Sequence, residues 1–311
     1  MAAAIEIRGL TKSYGSRPVV DGLSLTVERG SVYGLLGPNG SGKTTTLACT
    51  LGLLRPTSGS AHVLGEPAGR VHRLGGRLSV VFDTAISLPG LTALQNLEYV
   101  RQLLGHRRGR QAAEVLEAVG LESHARARVR SLSLGQAKRL AIAGALLGEP
   151  ELLVLDEPLS GLDTLGVRRM LRLFGRLRDE GLTLLLSSHR LVEMESVVTH
   201  AGILFEGQLA EDGPLERVLA RGEDVHRVEV EQAAEARALL EGVEGLRVEV
   251  EEGTDRPPRL ALRCGELPVA EVNRRLVEAG FAVSAIELRR ESLQTVFERI
   301  VDEREGRGAV A

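Results

Sequence analysis

Cysteine is scarce in this 311-residue chain, and the two present, Cys49 and Cys264, lie far apart. They form neither a metal-ligand spacing nor a disulfide framework, and a reducing compartment fits. Cys49 falls in a stretch of helical character, where packing rather than reactivity is expected. Long apolar runs are also missing, since none approaches the roughly 18 residues that a bilayer crossing requires. Met1-Ala2-Ala3-Ala4 lacks the basic and apolar texture of a secretory leader. A cytosolic chain is expected, with any work at a membrane done through a partner. Charge of one sign is lacking too. With 39 Lys and Arg against 42 Asp and Glu the formal net charge is -3, which disfavours a large nucleic-acid footprint. Arginine replaces lysine almost everywhere, a spread that points to genome composition before function.

What remains is an ordinary globular composition, 43% apolar and 26% charged, long enough for two domains. Ile5-Glu6-Ile7 and Leu23 to Val27 alternate like half-buried strands about a turn at Gly15 to Pro18. Buried-strand runs follow at Ser31 to Leu36, Leu78 to Phe82, Leu152 to Leu155, Leu182 to Leu186 and Ala201 to Phe205. Helical periodicity is read over Thr44 to Leu54 and from Leu91 to about Gly148, and turns at Glu206-Gly207 and Asp212-Gly213-Pro214. This alternation predicts an α/β fold with a mostly parallel sheet, flanking helices and a helical insert over about 86–148. Near Arg221-Gly222 the texture changes. Residues 221–311 read as β-α-β-β-α-β with a final helix after Ser292, the order of a small ferredoxin-like α+β module beside a first domain over 1–220.

The chemistry concentrates in a few motifs. Gly37-Pro38-Asn39-Gly40-Ser41-Gly42-Lys43-Thr44 has the G-x-x-x-x-G-K-[ST] spacing of a phosphate cradle, between a buried strand and a helix. Glycines let backbone N–H groups curl around a phosphate, Lys43 supplies a point charge, and the Thr44 hydroxyl can ligate Mg²⁺. The helix N-terminus faces the anion. Leu152 to Leu155 then deliver Asp156 and Glu157 to the C-terminal edge of a strand, where ligands of parallel sheets bind. Asp156 can hold Mg²⁺ through water, and Glu157 is placed as general base for an attacking water. Ser133-Leu134-Gly135-Gln136 opens a helix whose hydroxyl and N–H donors can face an anion. Such a start is common among helices, so this motif takes its weight from standing shortly before Asp156.

From Ile5 to Asp212 these motifs, in their order and spacing, resemble the nucleotide-binding subunits of ABC transporters, within the multidrug and peptide-antibiotic resistance group. The resemblance implies a P-loop NTPase with a RecA-like core, an antiparallel β subdomain and a helical insert. Gly37 to Thr45, including Thr45, match the Walker A cradle, Ser133 to Gln136 the signature, and Leu152 to Glu157 the Walker B strand. Tyr14 matches the aromatic that stacks on adenine, Asp163 in Ser160-Gly161-Leu162-Asp163 the D-loop, and His189 the switch histidine that senses the γ-phosphate. Two departures stand out. Asp83 occupies the usual Gln place, where a carboxylate can approach Mg²⁺ or a water but adds negative charge, and Leu134 replaces a Gly.

The implied cofactors are ATP and Mg²⁺. The implied partners are an integral-membrane permease and a second copy or paralogue in a head-to-tail dimer, with Ser133, Gly135, Gln136 and Asp163 reaching the ATP in trans. The expected activity is ATP hydrolysis that powers export of a drug, antibiotic or peptide, at the inner face of the cell membrane and without nucleic acid. The alternatives are an ABC-type ATPase acting on nucleic acid or ribosomes through Arg107, Arg108, Arg110, Arg126, Arg128 and Arg130, and a weakly hydrolysing regulatory subunit.

Overall fold

The computed structural model describes residues 3–82, 88–105, 109–220, 225–251, 258–265, 267–289 and 292–308. They form two compact units, Met1–Val218 and Leu219–Ala311.

In the first unit β1 (Ala3–Tyr14) and β2 (Arg17–Glu28) pair antiparallel across a two-residue turn at Gly15-Ser16. Ile5, Ile7 and Leu10 on one strand and Leu23, Leu25 and Val27 on the other are buried, as a period of two requires for one covered face. The chain then leaves for a second sheet through β3 (Val32–Leu36), followed by α1 (Lys43–Thr50). It returns in β4 (Ser58–Val63) and β5 (Glu66–Pro67), giving the order β2-β1-β4-β5. Two features here depart from the sequence reading. Helix α1 ends at Thr50, four residues before Leu54, because Gly52 takes φ +70° and turns the chain. Strand β4 carries no strand pattern in Ser58-Gly59-Ser60 and is recruited by its ladder with β1. A Cβ on Gly59 would stand 2.2 Å from the Gly9 carbonyl, so the close approach requires glycine.

The second sheet gathers β6 (Leu78–Val81), β7 (Leu152–Leu155), β8 (Thr183–Ser188), β9 (His200–Phe205) and β10 (Gln208–Pro214) around β3, in the order β10-β9-β3-β8-β7-β6. All pairs are parallel except β9 with β10. β3, β7 and β8 are buried along their whole length, which explains their continuous apolar runs. β6 is half-buried because it lies at the edge. Asp212-Gly213-Pro214, read as a turn from sequence, is the end of β10. That edge strand tolerates Pro214 because its other side has no ladder to donate to.

Between β6 and β7 come α2 (Ala93–Leu103), α3 (Ala112–Ala118) and α4 (Leu134–Leu146); α5 (Thr164–Asp179), α6 (Leu191–Glu195) and α7 (Leu215–Leu219) follow later. The parallel strands all end on one side: Leu36 pairs with Ser188, and Val81 with Leu155. Gly37, Asp156 and His189 therefore emerge along one edge.

At the opposite edge, Glu151 accepts hydrogen bonds from Arg77 and Arg29, which hold its carboxyl at about 2 rather than 4.5. A depressed folded value stabilises the native state above pH 4.5, and that contribution is lost as pH falls toward 2. These side chains are two-fifths to half exposed, so screening holds the effect below about 1 kcal/mol. Acid titration of Glu151→Gln is expected to show a correspondingly flatter loss of stability between pH 4.5 and 2. A denaturant series at each pH measures it.

In the second unit β11 (Val225–Val230), α8 (Ala233–Leu240), β12 (Arg247–Glu251), β13 (Arg259–Arg263), α9 (Val269–Glu278), β14 (Val283–Arg289) and α10 (Leu293–Gly308) follow in order. The sheet runs β12-β13-β11-β14, with every pair antiparallel. β13 thus separates the two strands that α8 connects, a split β-α-β arrangement. Val228, Val230, Leu260 and Leu262 pack with Ala236, Leu240, Val272 and Leu276 to form its core.

Candidate functional site

β3 feeds a loop whose glycines are required by space as well as by conformation. Gly37 has φ +151°, and a Cβ there would lie 2.1 Å from the Leu204 carbonyl oxygen. Gly42 has φ +105°, and its Cβ would lie 2.6 Å from the Val19 carbonyl oxygen. Pro38 accepts the Ser41 N–H, while Asn39 and Gly40 form an exposed rim. Helix α1 then starts with no side-chain cap and no acid in its first turn. The N–H groups of that turn have no intrahelical acceptor, so the loop presents donors to an anion. The Ser41 hydroxyl points the same way: its oxygen is buried without a hydrogen-bond partner. Lys43, 5% exposed, donates to the carbonyls of Gly37 at 2.9 Å and Pro38 at 3.0 Å, which fixes its ammonium inside the loop.

β7 brings the acids to this loop. The hydroxyl of Thr44, the second residue of α1, donates to Asp156 Oδ2 at 3.0 Å, and the Ser187 hydroxyl near the end of β8 donates to Asp156 Oδ1. Hydroxyl and carboxylate oxygens of this kind are the donor set of a hard cation. Glu157 sits in the left-handed region at φ +48°, which costs a non-glycine residue roughly 1–2 kcal/mol. Three hydrogen bonds hold it there: its N–H donates to Ser187 Oγ at 2.9 Å, and its carbonyl accepts from Lys138 Nζ at 3.0 Å and from the Ser160 N–H at 3.1 Å. The strained backbone turns the carboxylate toward the loop. Oε1 stands 3.3 Å from Lys43 Nζ but forms no hydrogen bond, and Oε2 lies 2.8 Å from His189 Nδ1. A carboxylate, a buried ammonium, a paired hydroxyl and carboxylate, and the N–H groups that open α1 are thereby gathered around the Gly37–Thr45 loop.

Ser133 and Asp163 lie elsewhere. Ser133 caps α4 with a reciprocal box, its Oγ accepting the Gln136 N–H while Gln136 Oε1 accepts the Ser133 N–H at 2.8 Å. Asp163 caps α5 through the Gly166 N–H at 2.8 Å. Ser133, Leu134, Gly135, Gln136 and Asp163 line one open cleft of about 240 Å³, to which no residue of the Gly37–Thr45 loop contributes. The half-exposed Leu134 touches the place where a Cβ on Gly161 would sit. Tyr14, at the end of β1, is half exposed, and the Lys12 ammonium stands 5.1 Å from its ring centre. Asp83, Arg107 and Arg108 lie outside the described residues, while Arg126, Arg128 and Arg130 are exposed.

Sequence reasoning missed Ser187 and Lys138. Serine at a strand end carries no signal. Lysine does, in a chain that has exchanged it for arginine: of its three lysines, Lys43 and Lys138 both reach Glu157, and Lys12 stands over Tyr14.

Loop, acid pair and parallel sheet define a P-loop nucleotide triphosphatase. Residues 20–160 match the family model described as ABC transporter. Bacitracin transport ATP-binding protein BcrA of Bacillus licheniformis is 35% identical over 97% of this chain and 98% of its own length. Lantibiotic transport ATP-binding protein SrtF of Streptococcus pyogenes is 34% identical over 66% of this chain and 88% of its own. The ATP-binding cassette MJ0796, solved as a dimer in a post-hydrolysis state with ADP and Pi, superposes with TM-score 0.59 at 25% identity, over 68% of this chain and 98% of that one. The chain belongs to the ATP-binding subunits of ABC transporters. It is an ATPase of the export type, and action on nucleic acid or ribosomes is not favoured. Among the described residues no helix is long and apolar enough to cross a membrane.

Proposed function

We propose that this chain hydrolyses ATP as one half of a head-to-tail pair, with a second copy or a paralogue, and so powers export of a peptide antibiotic through a separate permease. One observation carries the reading: the loop of Lys43 and the cleft of Ser133 are separate half-sites on the same chain. Neither alone surrounds a triphosphate. Closing two chains with each loop against the other's cleft joins Ser133, Gly135, Gln136 and Asp163 of one to the ATP of the other. In each chain Tyr14 stacks on the adenine, while the N–H groups from Gly40 to Thr45 and the Lys43 ammonium hold the phosphates. Thr44 and Asp156, with Asp83 as a further candidate, would hold Mg²⁺, which supplies charge neutralisation to the β- and γ-phosphates when bound. Glu157 takes the proton of the attacking water at its carboxylate, and His189 orients that carboxylate through the 2.8 Å contact. Hydrolysis removes the bridging charge and the pair opens.

Exposed apolar side chains on the helical insert, Leu88, Tyr99, Leu103 and Leu104, support a protein partner on that face, and a permease is the one that an exporter needs. BcrA and SrtF are named for bacitracin and lantibiotic transport, which supports a peptide antibiotic as cargo. Co-expression with its membrane permease is expected to yield a complex and to raise resistance to bacitracin, measured as the inhibitory concentration. Glu157→Gln should abolish the rise. Retention on RNA or DNA in a salt-dependent manner, with no membrane protein attached, would contradict the reading.

A further inference from the structure

The contact between Lys138 and Glu157 joins two parts of the machinery that the pairing model keeps apart. Lys138 lies on α4, five residues after Ser133, so about 7.5 Å of helix separates them along the axis. Lys138 is 8% exposed, and its ammonium donates to the Glu157 carbonyl at 3.0 Å. The N-terminal cap of the helix is fixed as well. Gln136 Oε1 accepts from Ser133 N–H, so its Nε2 is the donor to His124 Nε2 at 2.7 Å; the imidazole then carries its proton on Nδ1, 3.0 Å from Ser123 Oγ. The Ser133 hydroxyl accepts from Gln136 N–H and keeps its own proton free for an anion.

A continuous run of hydrogen bonds therefore leads from the Ser133 cap along rigid α4 to Lys138, to the Glu157 backbone, through Ser187 to Asp156, and on to Thr44. Glu157 is the strained point in this run: its φ of +48° is held by Lys138, by Ser187 and by the Ser160 N–H on the same carbonyl. A small displacement of α4 therefore reaches the carboxylate that faces Lys43 and His189.

We infer that Lys138 is a positioning residue that couples the two ATP sites of the pair. The inference rests on the head-to-tail reading. Ser133 of one chain meets the ATP held by its partner, and the same helix, through Lys138, sets the base that acts on the chain's own ATP. Occupancy of one site then tunes the chemistry of the other, which makes hydrolysis cooperative in ATP. The lysine itself is the reason that the link is strong: a buried ammonium donates a charge-assisted bond to a carbonyl, with four flexible carbons spanning the gap from helix to strand end.

The test measures steady-state hydrolysis against ATP concentration for wild type, Lys138→Met and Lys138→Gln. Wild type is expected to show a Hill coefficient between 1.5 and 2, approaching the roughly two sites of the pair. Lys138→Met keeps the length and apolar stem but removes the donor. It should lower kcat about ten- to hundred-fold, as expected for a charged hydrogen bond and a misplaced base, and bring the Hill coefficient to about 1. ATP affinity of the isolated chain, measured by calorimetry, should stay within about two-fold, because no cradle contact is lost. Lys138→Gln keeps a donor and should recover most of both kcat and cooperativity. Thermal melts identify any variant that fails to fold, and Lys138→Gln then carries the comparison. Wild-type cooperativity and kcat in folded Lys138→Met would overturn the inference, as would equal loss in Lys138→Gln. ATP-driven pairing of the Glu157→Gln chain is followed in parallel: its absence sinks the head-to-tail reading itself, whereas its presence with an unaffected Lys138→Met sinks the coupling alone.

Discussion

Glu157→Gln is expected to lower ATP turnover by roughly 10² to 10⁴, the range for loss of a positioned general base, while ATP binding persists. Geometry supports a large effect from this one oxygen-to-nitrogen exchange. Glu157 Oε1 is buried without a hydrogen-bond partner beside Lys43, and Oε2 meets His189 Nδ1. An amide keeps the size and hydrogen-bonding reach but cannot take a proton from water. Its loss also removes a negative charge from the place where the γ-phosphate must enter, so affinity should rise rather than fall. Single-turnover hydrolysis and equilibrium binding, done on the same preparation, separate the two quantities. Turnover within a factor of a few of wild type would remove Glu157 from the role of base.

Lys43→Ala is expected to do the reverse, raising the dissociation constant for ATP about 100-fold, the scale of a charged contact to phosphate. The ammonium already holds the loop open through the carbonyls of Gly37 and Pro38. Its removal takes away both the charge that meets the phosphates and the tie that keeps those carbonyls turned away from the anion. The 3.3 Å contact with Glu157 is lost as well, leaving a carboxylate with His189 alone at the site mouth. Lys43→Arg should not recover binding, because a planar fork does not fit the space that a tetrahedral ammonium fills among backbone carbonyls. Calorimetric titration with MgATP reads the loss. An unchanged dissociation constant in folded Lys43→Ala would show that the loop binds nucleotide without its cation.

The difference between the parts of this molecule that sequence makes legible and those that it hides is physical. β3, β7 and β8 stand out as apolar runs because both faces of a parallel sheet are covered. Gly37, Gly42, Lys43 and Thr44 stand out because phosphate chemistry tolerates few alternatives at fixed spacing. β4 is hidden, since its Ser-Gly-Ser start is held by the backbone ladder of β1 rather than by side-chain burial. The end of α1 is hidden as well, because a helical period says nothing about a left-handed glycine at position 52. Within the site, Asp156 and Glu157 are visible as acids at a strand end, but their supports are not. Ser187 and Lys138 come from elements separated by tens of residues, and only the fold brings them to Asp156 and Glu157. The left-handed backbone of Glu157 is likewise a product of those tertiary contacts, with no local signal in Leu155-Asp156-Glu157-Pro158.

The central claim is that nucleotide joins two incomplete half-sites. Sedimentation of the Glu157→Gln chain with and without MgATP tests it most directly. The account predicts a monomer without nucleotide and, at millimolar MgATP, a dimer holding two ATP molecules that Ser133→Glu abolishes. A chain that binds ATP yet stays monomeric throughout, or a dimer indifferent to both nucleotide and Ser133, would contradict it.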